Sequence, residues 1–170
     1  MANPQMILIA SSTLGANASS YTFSSIPQIY TDLLLKVSSR IDYTGAGDYF
    51  KVEFNGTTTG NTEKYLYGSG SGTGSFSGSL IESNLSSGGA TANTFGNCEI
   101  YISNYTSGTN KTVSIDTVYE NNATAAQQAL VGGLWSNTAA ITSIKLTPEG
   151  AGTNNFVTNS SFYLYGITRQ

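Results

Sequence analysis

The sequence predicts an all-β protein, an antiparallel β-sandwich of the jelly-roll type with about eight or nine strands. Two observations predict this class. Apolar side chains recur at every second residue along much of the chain, the spacing of a strand with one buried face. Clusters of Gly, Asn, Ser and Pro separate these runs, as turns do. No alternation of strands with helices, which would indicate a parallel sheet, is evident.

Residues 48–54 form the clearest predicted strand, because Phe50, Val52 and Phe54 would share one face. The Asn-Gly pair at 55–56 accepts the positive φ of a tight turn. In a second clear run, 112–120, alternate residues would again divide between a buried and an exposed face. Further strands are predicted at 5–11, 21–24, 32–40, 64–67, 99–104, 140–146 and 161–168.

One segment leaves helix and strand as alternatives. Residues 123–128 contain good helix formers, but the run is short for a helix. If the chain is extended instead, Leu130, Gly132 and Leu134 face one way, and the strand would pair back on 112–120. We expect the strand.

The Gly- and Ser-rich segment 68–79 has the composition of a flexible linker. A linker there would divide the chain into two pieces, each too poor in strands for a core of its own. We therefore expect one jelly-roll domain spanning 1–170, with a flexible Gly/Ser-rich surface loop at 68–79. An immunoglobulin-type sandwich is the alternative architecture, although such domains are usually shorter and this chain lacks their paired Cys.

Charge and residue inventory exclude several classes of function. Only 10% of the 170 residues are charged and the net charge is -3, which argues against binding to nucleic acid or to an anionic membrane. The chain has no His and a single Cys, so Ser-His-Asp catalysis, Cys-His catalysis and His-ligated zinc are excluded. We expect no cofactor. Cys98 is expected to be an inert buried side chain.

Neither a signal peptide nor a membrane span is predicted. The apolar run at 6–10 is shorter than a signal-peptide core and no positively charged region precedes it. No apolar stretch approaches the roughly 20 residues that cross a bilayer. We expect synthesis in the cytoplasm without export.

The ten carboxylates offer two possible sites for chemistry. Two of them facing each other across a cleft would suit a polysaccharide hydrolase, but most alternate with apolar residues or lie beside turns, as solvated faces and turn caps do. Asp42 and Asp48 lie at the two ends of a Gly-containing loop that could hold calcium. A plain hairpin loop is the simpler interpretation, and we expect neither a catalytic nor a metal site.

Tyrosines are the remaining signal for binding. Tyr65 and Tyr67 precede the Gly-rich segment, and Tyr101 and Tyr105 lie near another turn. Exposed Tyr side chains stack on sugars or anchor protein interfaces. These four are the candidate contacts with a partner protein or a glycan, and packing within the sheet is their alternative role.

Three stretches of the chain are distinctive when taken together. They are FSSIPQIYTDL at 23–33, SID at 114–116 leading through ENNATAA at 120–126 to GLWSNTAAITSI at 133–144, and FYLYGI at 162–167. In order and spacing they resemble a widespread group of small virion proteins of tailed bacteriophages. The resemblance implies a jelly-roll module of capsid surfaces or of tail and head fibres, commonly a homotrimer.

From this resemblance we expect a non-enzymatic virion structural protein. Our first expectation is a capsid decoration, or cement, protein that binds the major capsid protein and stabilises the assembled head. Strand-like sequence begins at about residue 6, whereas tail-fibre proteins usually carry an attachment segment before the binding module. The alternative is a tail- or head-fibre module that recognises a host surface glycan, and a polysaccharide hydrolase is the third possibility.

Overall fold

A computed structural model describes residues 5–120, 125–149 and 154–168. These residues contain strands and no helix, so the predicted all-β class is confirmed. The twelve strands in this part of the chain are β1 (Gln5–Thr13), β2 (Tyr21–Phe23), β3 (Asp32–Ile41), β4 (Gly47–Phe54), β5 (Asn61–Gly68), β6 (Thr73–Gly78), β7 (Glu82–Ser87), β8 (Gly96–Ile102), β9 (Lys111–Glu120), β10 (Ala126–Trp135), β11 (Ile144–Pro148) and β12 (Ser161–Thr168).

The strands form two layers. Sheet A has eight antiparallel strands in the order β1-β12-β3-β8-β9-β10-β5-β6. Sheet B has the order β2-β11-β4-β7, again with antiparallel neighbours. The end of β3 pairs in parallel with β7 through Arg40 and Ile41, so β3 joins the two sheets at a corner of the fold.

The hydrophobic core lies between the two sheets. Phe54 of sheet B packs against Trp135 of sheet A with 5.4 Å between ring centroids. Tyr21 of sheet B stacks on Phe162 of sheet A at 4.4 Å. These contacts join the inner faces of the sheets, as the predicted β-sandwich requires. The jelly-roll connectivity stays a prediction.

The alternation of apolar and polar residues located most strands because each has one face in this core. In β9, Val113, Ile115 and Thr117 are buried, and the residues between them are exposed. The ambiguous segment after β9 belongs in part to β10, which pairs with β9 as predicted. Residues 123 and 124 lie outside the described residues. The predicted strand at 140–146 begins later than expected, at Ile144.

Two strands were not predicted. β7 is polar in sequence, yet five of its six residues are buried, so it shows no period of two. β6 lies inside the segment 68–79 and pairs with β5, so the prediction of a loop is wrong for Thr73–Gly78. The intrinsic strand preference of its Gly and Ser residues is low. Pairing with β5, together with the stacking of Phe76 on Tyr65 at 4.5 Å, places it in the sheet.

Candidate interaction surface

The outer face of sheet A is a continuous surface across eight strands, and the strand register shows which side chains are neighbours on it. Charged residues meet at its centre, where Lys36 of β3 forms an ion pair with Glu99 of β8. Apolar residues lie toward β5 and β10. One row across the whole sheet is Ser11, Tyr163, Lys36, Glu99, Asp116, Leu130, Leu66 and Ser75.

Leu66 and Leu130 form the apolar part of this surface. They lie directly opposite each other on β5 and β10, and about half of each side chain is exposed. A depression of about 550 Å³ lies over them and is also lined by Ser75 of β6 and Gln128 of β10. A second depression, of about 350 Å³, continues past the same leucines over Gly132. We call this surface the Leu66–Leu130 groove, lined by Lys64, Leu66, Ser75, Gln128, Leu130 and Gly132.

Leu130, Gly132 and Leu134 were predicted to share one face of a strand, and the alternating exposure of β10 confirms this. The pairing of Leu66 with Leu130 was not predicted. Alternation within 64–67 puts Leu66 on the face opposite Tyr65 and Tyr67. The sequence therefore predicts the face of each leucine within its own strand, but not that the two leucines are neighbours. The register between β5 and β10, which brings the two leucines together, is a property of the folded sheet.

Two of the four candidate tyrosines are core residues. Tyr65 is buried between the sheets and stacks on Phe76. Tyr105 is also buried, and its hydroxyl donates a hydrogen bond to the backbone carbonyl oxygen of Pro27. Neither ring is accessible to a partner protein or glycan, which corrects the expectation for both residues. Burial also raises the pKa of both phenols, with Tyr65 affected more strongly.

The other two tyrosines reach the surface in different places. Tyr101 lies on the outer face of sheet A, and its hydroxyl donates to the Asp32 carboxylate at 2.9 Å. The second oxygen of that carboxylate accepts the Asn104 backbone N–H at 2.8 Å, so Tyr101 belongs to a hydrogen-bonded network. Tyr67 is 42% exposed, and its ring points to the face of β5 opposite Leu66, where it lies over Gly74 of β6. Of the four predicted contacts, Tyr67 is the most exposed, and its ring lies outside the Leu66–Leu130 groove.

The two aspartates of the possible calcium loop have other partners. Asp42 accepts hydrogen bonds from the backbone N–H of Asn155 at 2.6 Å and from its side chain at 2.8 Å. Asp48 accepts one from the Asn154 side chain at 2.9 Å. The two carboxylates therefore hold the segment that precedes β12. Within the described residues no three His, Cys, Asp or Glu side chains are grouped as metal ligands would be.

A pair of glutamates lies between the sheets near the β5–β6 edge. Glu63 is buried and accepts the backbone N–H of Glu82 at 2.9 Å. Burial raises the pKa of Glu63 despite this hydrogen bond. Burial, reinforced by the nearby Glu149 and Glu63 carboxylates, raises the pKa of Glu82 to about 7. A buried Glu63 cannot meet a polysaccharide chain, so this pair lacks the open cleft that a hydrolase needs.

Cys98 is fully buried on the inner face of β8, as predicted. Its Sγ lies 3.8 Å from the Ser83 hydroxyl. Burial raises the pKa of the thiol to about 12, so the nucleophilic thiolate is scarce at neutral pH.

Comparison with known proteins adds no family to this description. The sequence matches no protein-family model and no curated protein. In the part of the chain that the structure covers, no helix is long and apolar enough to cross a membrane. The three distinctive stretches lie at β2–β3, from β9 to β11, and in β12.

Proposed function

We propose that this chain is a non-enzymatic structural protein of a bacteriophage virion, specifically a capsid decoration protein that binds the assembled head. The observation that carries the proposal is the Leu66–Leu130 groove on the face of a charge-poor sandwich. Paired apolar side chains exposed on a sheet face are typical of protein-binding surfaces. The resemblance of the three stretches supplies the virion context, in which the protein is made in the host cytoplasm.

In this proposal the partner is the major capsid protein and the decorating unit is a homotrimer. The two leucines supply an apolar centre, and Lys64, Ser75 and Gln128 supply a polar rim, the arrangement found in protein interfaces. A protein that binds only the assembled shell stabilises it by mass action. Three linked copies bind more tightly than one, because the second and third contacts form within the same complex. No cofactor takes part.

The proposal is tested with phage heads that lack this protein. Purified wild-type protein should raise the temperature at which these heads release DNA, and Leu66→Asp or Leu130→Asp should abolish the increase, because each places a charge in the apolar centre. The control is Ile29→Asp, since Ile29 is a highly exposed apolar residue on the loop between β2 and β3. Circular dichroism establishes that each variant is folded.

Two results would contradict the proposal. One is that wild-type protein leaves the release temperature unchanged. The other is that both leucine variants protect the heads as well as Ile29→Asp does. Cryo-electron microscopy of the complete virion checks the position independently, since a decoration protein gives density on the capsid lattice.

A tail- or head-fibre module that binds host glycan is the second candidate, and the position of Tyr67 favours it. Tyr67 is 42% exposed, and its ring lies over Gly74 of the neighbouring strand β6. An exposed aromatic ring offers a flat face on which a sugar can stack. On a glycan array, Tyr67→Ala should lose binding, and Tyr43→Ala, which removes an equally exposed ring from the loop between β3 and β4, should retain it. Equal binding by both variants would count against this candidate.

A further inference from the structure

We propose that strand β1 is a self-pairing edge through which two copies of this chain join their A sheets about a two-fold axis. β1 lies at the end of sheet A, and within the described residues it pairs with β12 alone. Its other side therefore offers unpaired backbone donors and acceptors to another strand. The proposed pairing depends on the free edge of β1 and not on the proposed virion role.

The exposure of β1 identifies the part that is open. Met6, Ile7 and Leu8 are consecutive apolar residues, and all three are exposed. Consecutive residues of a strand point to opposite faces of the sheet. At this end of β1, apolar side chains are therefore exposed on both faces of sheet A. The exposed leucines of the Leu66–Leu130 groove, in contrast, lie on one face only.

The hydrogen bonds of β12 show which backbone groups face outward. The carbonyl oxygen of Ile167 accepts the N–H of Thr31, on the β3 side of β12. The neighbouring residue Gly166 therefore faces β1, where its partner is Ile7. The N–H of Gln5 also points toward β12, because it donates to the Thr168 hydroxyl at 3.2 Å. By alternation, the backbone groups of Met6 and Leu8 point away from β12, toward the free edge.

This pattern is self-complementary when the two-fold axis passes at Ile7. Met6 of each copy then lies opposite Leu8 of the other, and each such pair exchanges both of its backbone hydrogen bonds. Ile7 faces Ile7 of the second copy as a non-hydrogen-bonded pair. The β1 irregularity between Leu8 and Ala10 ends the matching segment on one side.

The lack of charged residues in β1 indicates that the strand that pairs with its free edge belongs to a second copy of this chain. In a two-fold pairing the strand meets a copy of itself, so an edge strand with charges of one sign would bring like charges together. Gln5–Thr13 contains no charged residue, and it also lacks the Lys and Pro that commonly block strand edges. The other terminal strand of sheet A, β6, contains two Gly within six residues and presents no comparable run of apolar side chains.

A two-fold contact is distinct from the contacts of a trimer. If the protein is a homotrimer, pairing through β1 joins one trimer to another and leaves the Leu66–Leu130 groove uncovered. Failure of the decoration experiment therefore leaves the β1 pairing unaffected. Failure of the β1 experiments likewise leaves the groove proposal in place.

Cysteine cross-linking tests the geometry directly. Non-hydrogen-bonded pairs have Cα atoms about 4.5 Å apart, within the range that a disulfide spans. Ile7→Cys should form a covalent dimer on mild oxidation. Val118→Cys is the matched control, because Val118 is 41% exposed, compared with 38% for Ile7, and lies on β9. Dimer formation by Val118→Cys at the same rate as by Ile7→Cys would overturn the proposal.

Sedimentation velocity over a range of protein concentrations measures the association itself. Met6→Pro removes an N–H at the free edge and leaves the hydrogen bonds to β12 intact, so it should weaken association about tenfold or more. Its melting temperature should stay close to that of the wild type, which separates loss of pairing from loss of fold. Wild-type association by Met6→Pro would show that the copies meet at another surface and would overturn the proposal.

Discussion

The carboxylate of Glu63 accepts a hydrogen bond from the backbone N–H of Glu82 at 2.9 Å. Glu63 belongs to β5 of sheet A and Glu82 to β7 of sheet B, so this bond links the two layers. It also brings two acidic side chains into a site where water is scarce. Burial raises the pKa of both carboxyl groups, that of Glu82 to about 7.

These pKa values predict how stability depends on pH. A carboxyl group whose pKa is higher in the folded state binds more protons there than in the unfolded chain. The free energy of unfolding should therefore fall as the pH rises from about 4.5 to about 7, the interval between the ordinary and the folded pKa of Glu82. Glu82→Gln removes the charge, so this variant should melt at a higher temperature than the wild type at pH 8 and close to it at pH 4.

Thermal melts at pH 4, 6 and 8 check this prediction. Glu99→Gln is the control, because Glu99 lies on the outer face of sheet A and its ion pair with Lys36 is exposed. It should show no gain in melting temperature at pH 8. A difference between Glu82→Gln and the wild type that is the same at every pH would contradict the titration of Glu82.

Arg40 should be a major determinant of stability, because its guanidinium holds the segment after β7. The side chain is buried and donates to the backbone oxygens of Gly88 at 3.2 Å, Ala90 at 2.9 Å, Thr91 at 2.8 Å and Thr94 at 3.0 Å. Lysine keeps the charge but lacks the planar fork of donors. Arg40→Lys should lower the free energy of unfolding in urea by about 2–4 kcal/mol, since it leaves carbonyl oxygens without donors.

Lys36→Met is the comparison for Arg40→Lys. It removes a cation from the same strand, but the ion pair that it breaks is exposed, so the loss should stay under about 1 kcal/mol. Equal losses for the two variants would show that the carbonyl oxygens around Arg40 are not the source of its contribution.

Gly166 should not tolerate a side chain, because the ring of Tyr30 lies against its α-carbon. A Cβ built at Gly166 would come 2.3 Å from the Tyr30 ring. Gly166→Ala should therefore destabilise the protein by about 1–3 kcal/mol through overpacking. Gly132→Ala is the matched control in the same sheet, because nothing lies within 4 Å of a Cβ there. Urea unfolding measures both, and a loss in Gly166→Ala no larger than in the control would contradict the overpacking.

The thiol of Cys98 should not react while the protein is folded. It is fully buried and its pKa is raised to about 12, so both access and thiolate are lacking. Ellman's reagent should detect no thiol in native protein at pH 8 and one thiol per chain in guanidinium chloride. Val118→Cys, with an exposed thiol added on β9, should release one equivalent at once. Rapid reaction of native wild-type protein would show that β8 opens far more often than its burial predicts.

Local alternation of side chains was sufficient to predict most of the fold. It located β3, β4, β9 and β12, and it placed Val113, Ile115 and Thr117 on one buried face. It failed for β6 and β7. The residues of β7 are buried nearly throughout, so no alternation exists to be detected, and β6 owes its conformation to pairing with β5. Long-range contacts determine the conformation of such segments, because their own composition does not favour a strand.

The sequence by itself determined the fold class, the faces of individual strands and the burial of Cys98. Tertiary structure decided which side chains on those faces are buried and which residues of other strands lie next to them. Tyr65 and Tyr67 point to the same side of β5, yet one is buried and the other is 42% exposed. Leu66 and Leu130 become neighbours only through the register of β5 on β10. A period of two specifies the side to which a residue points, whereas register and sheet packing depend on contacts between residues far apart in the chain.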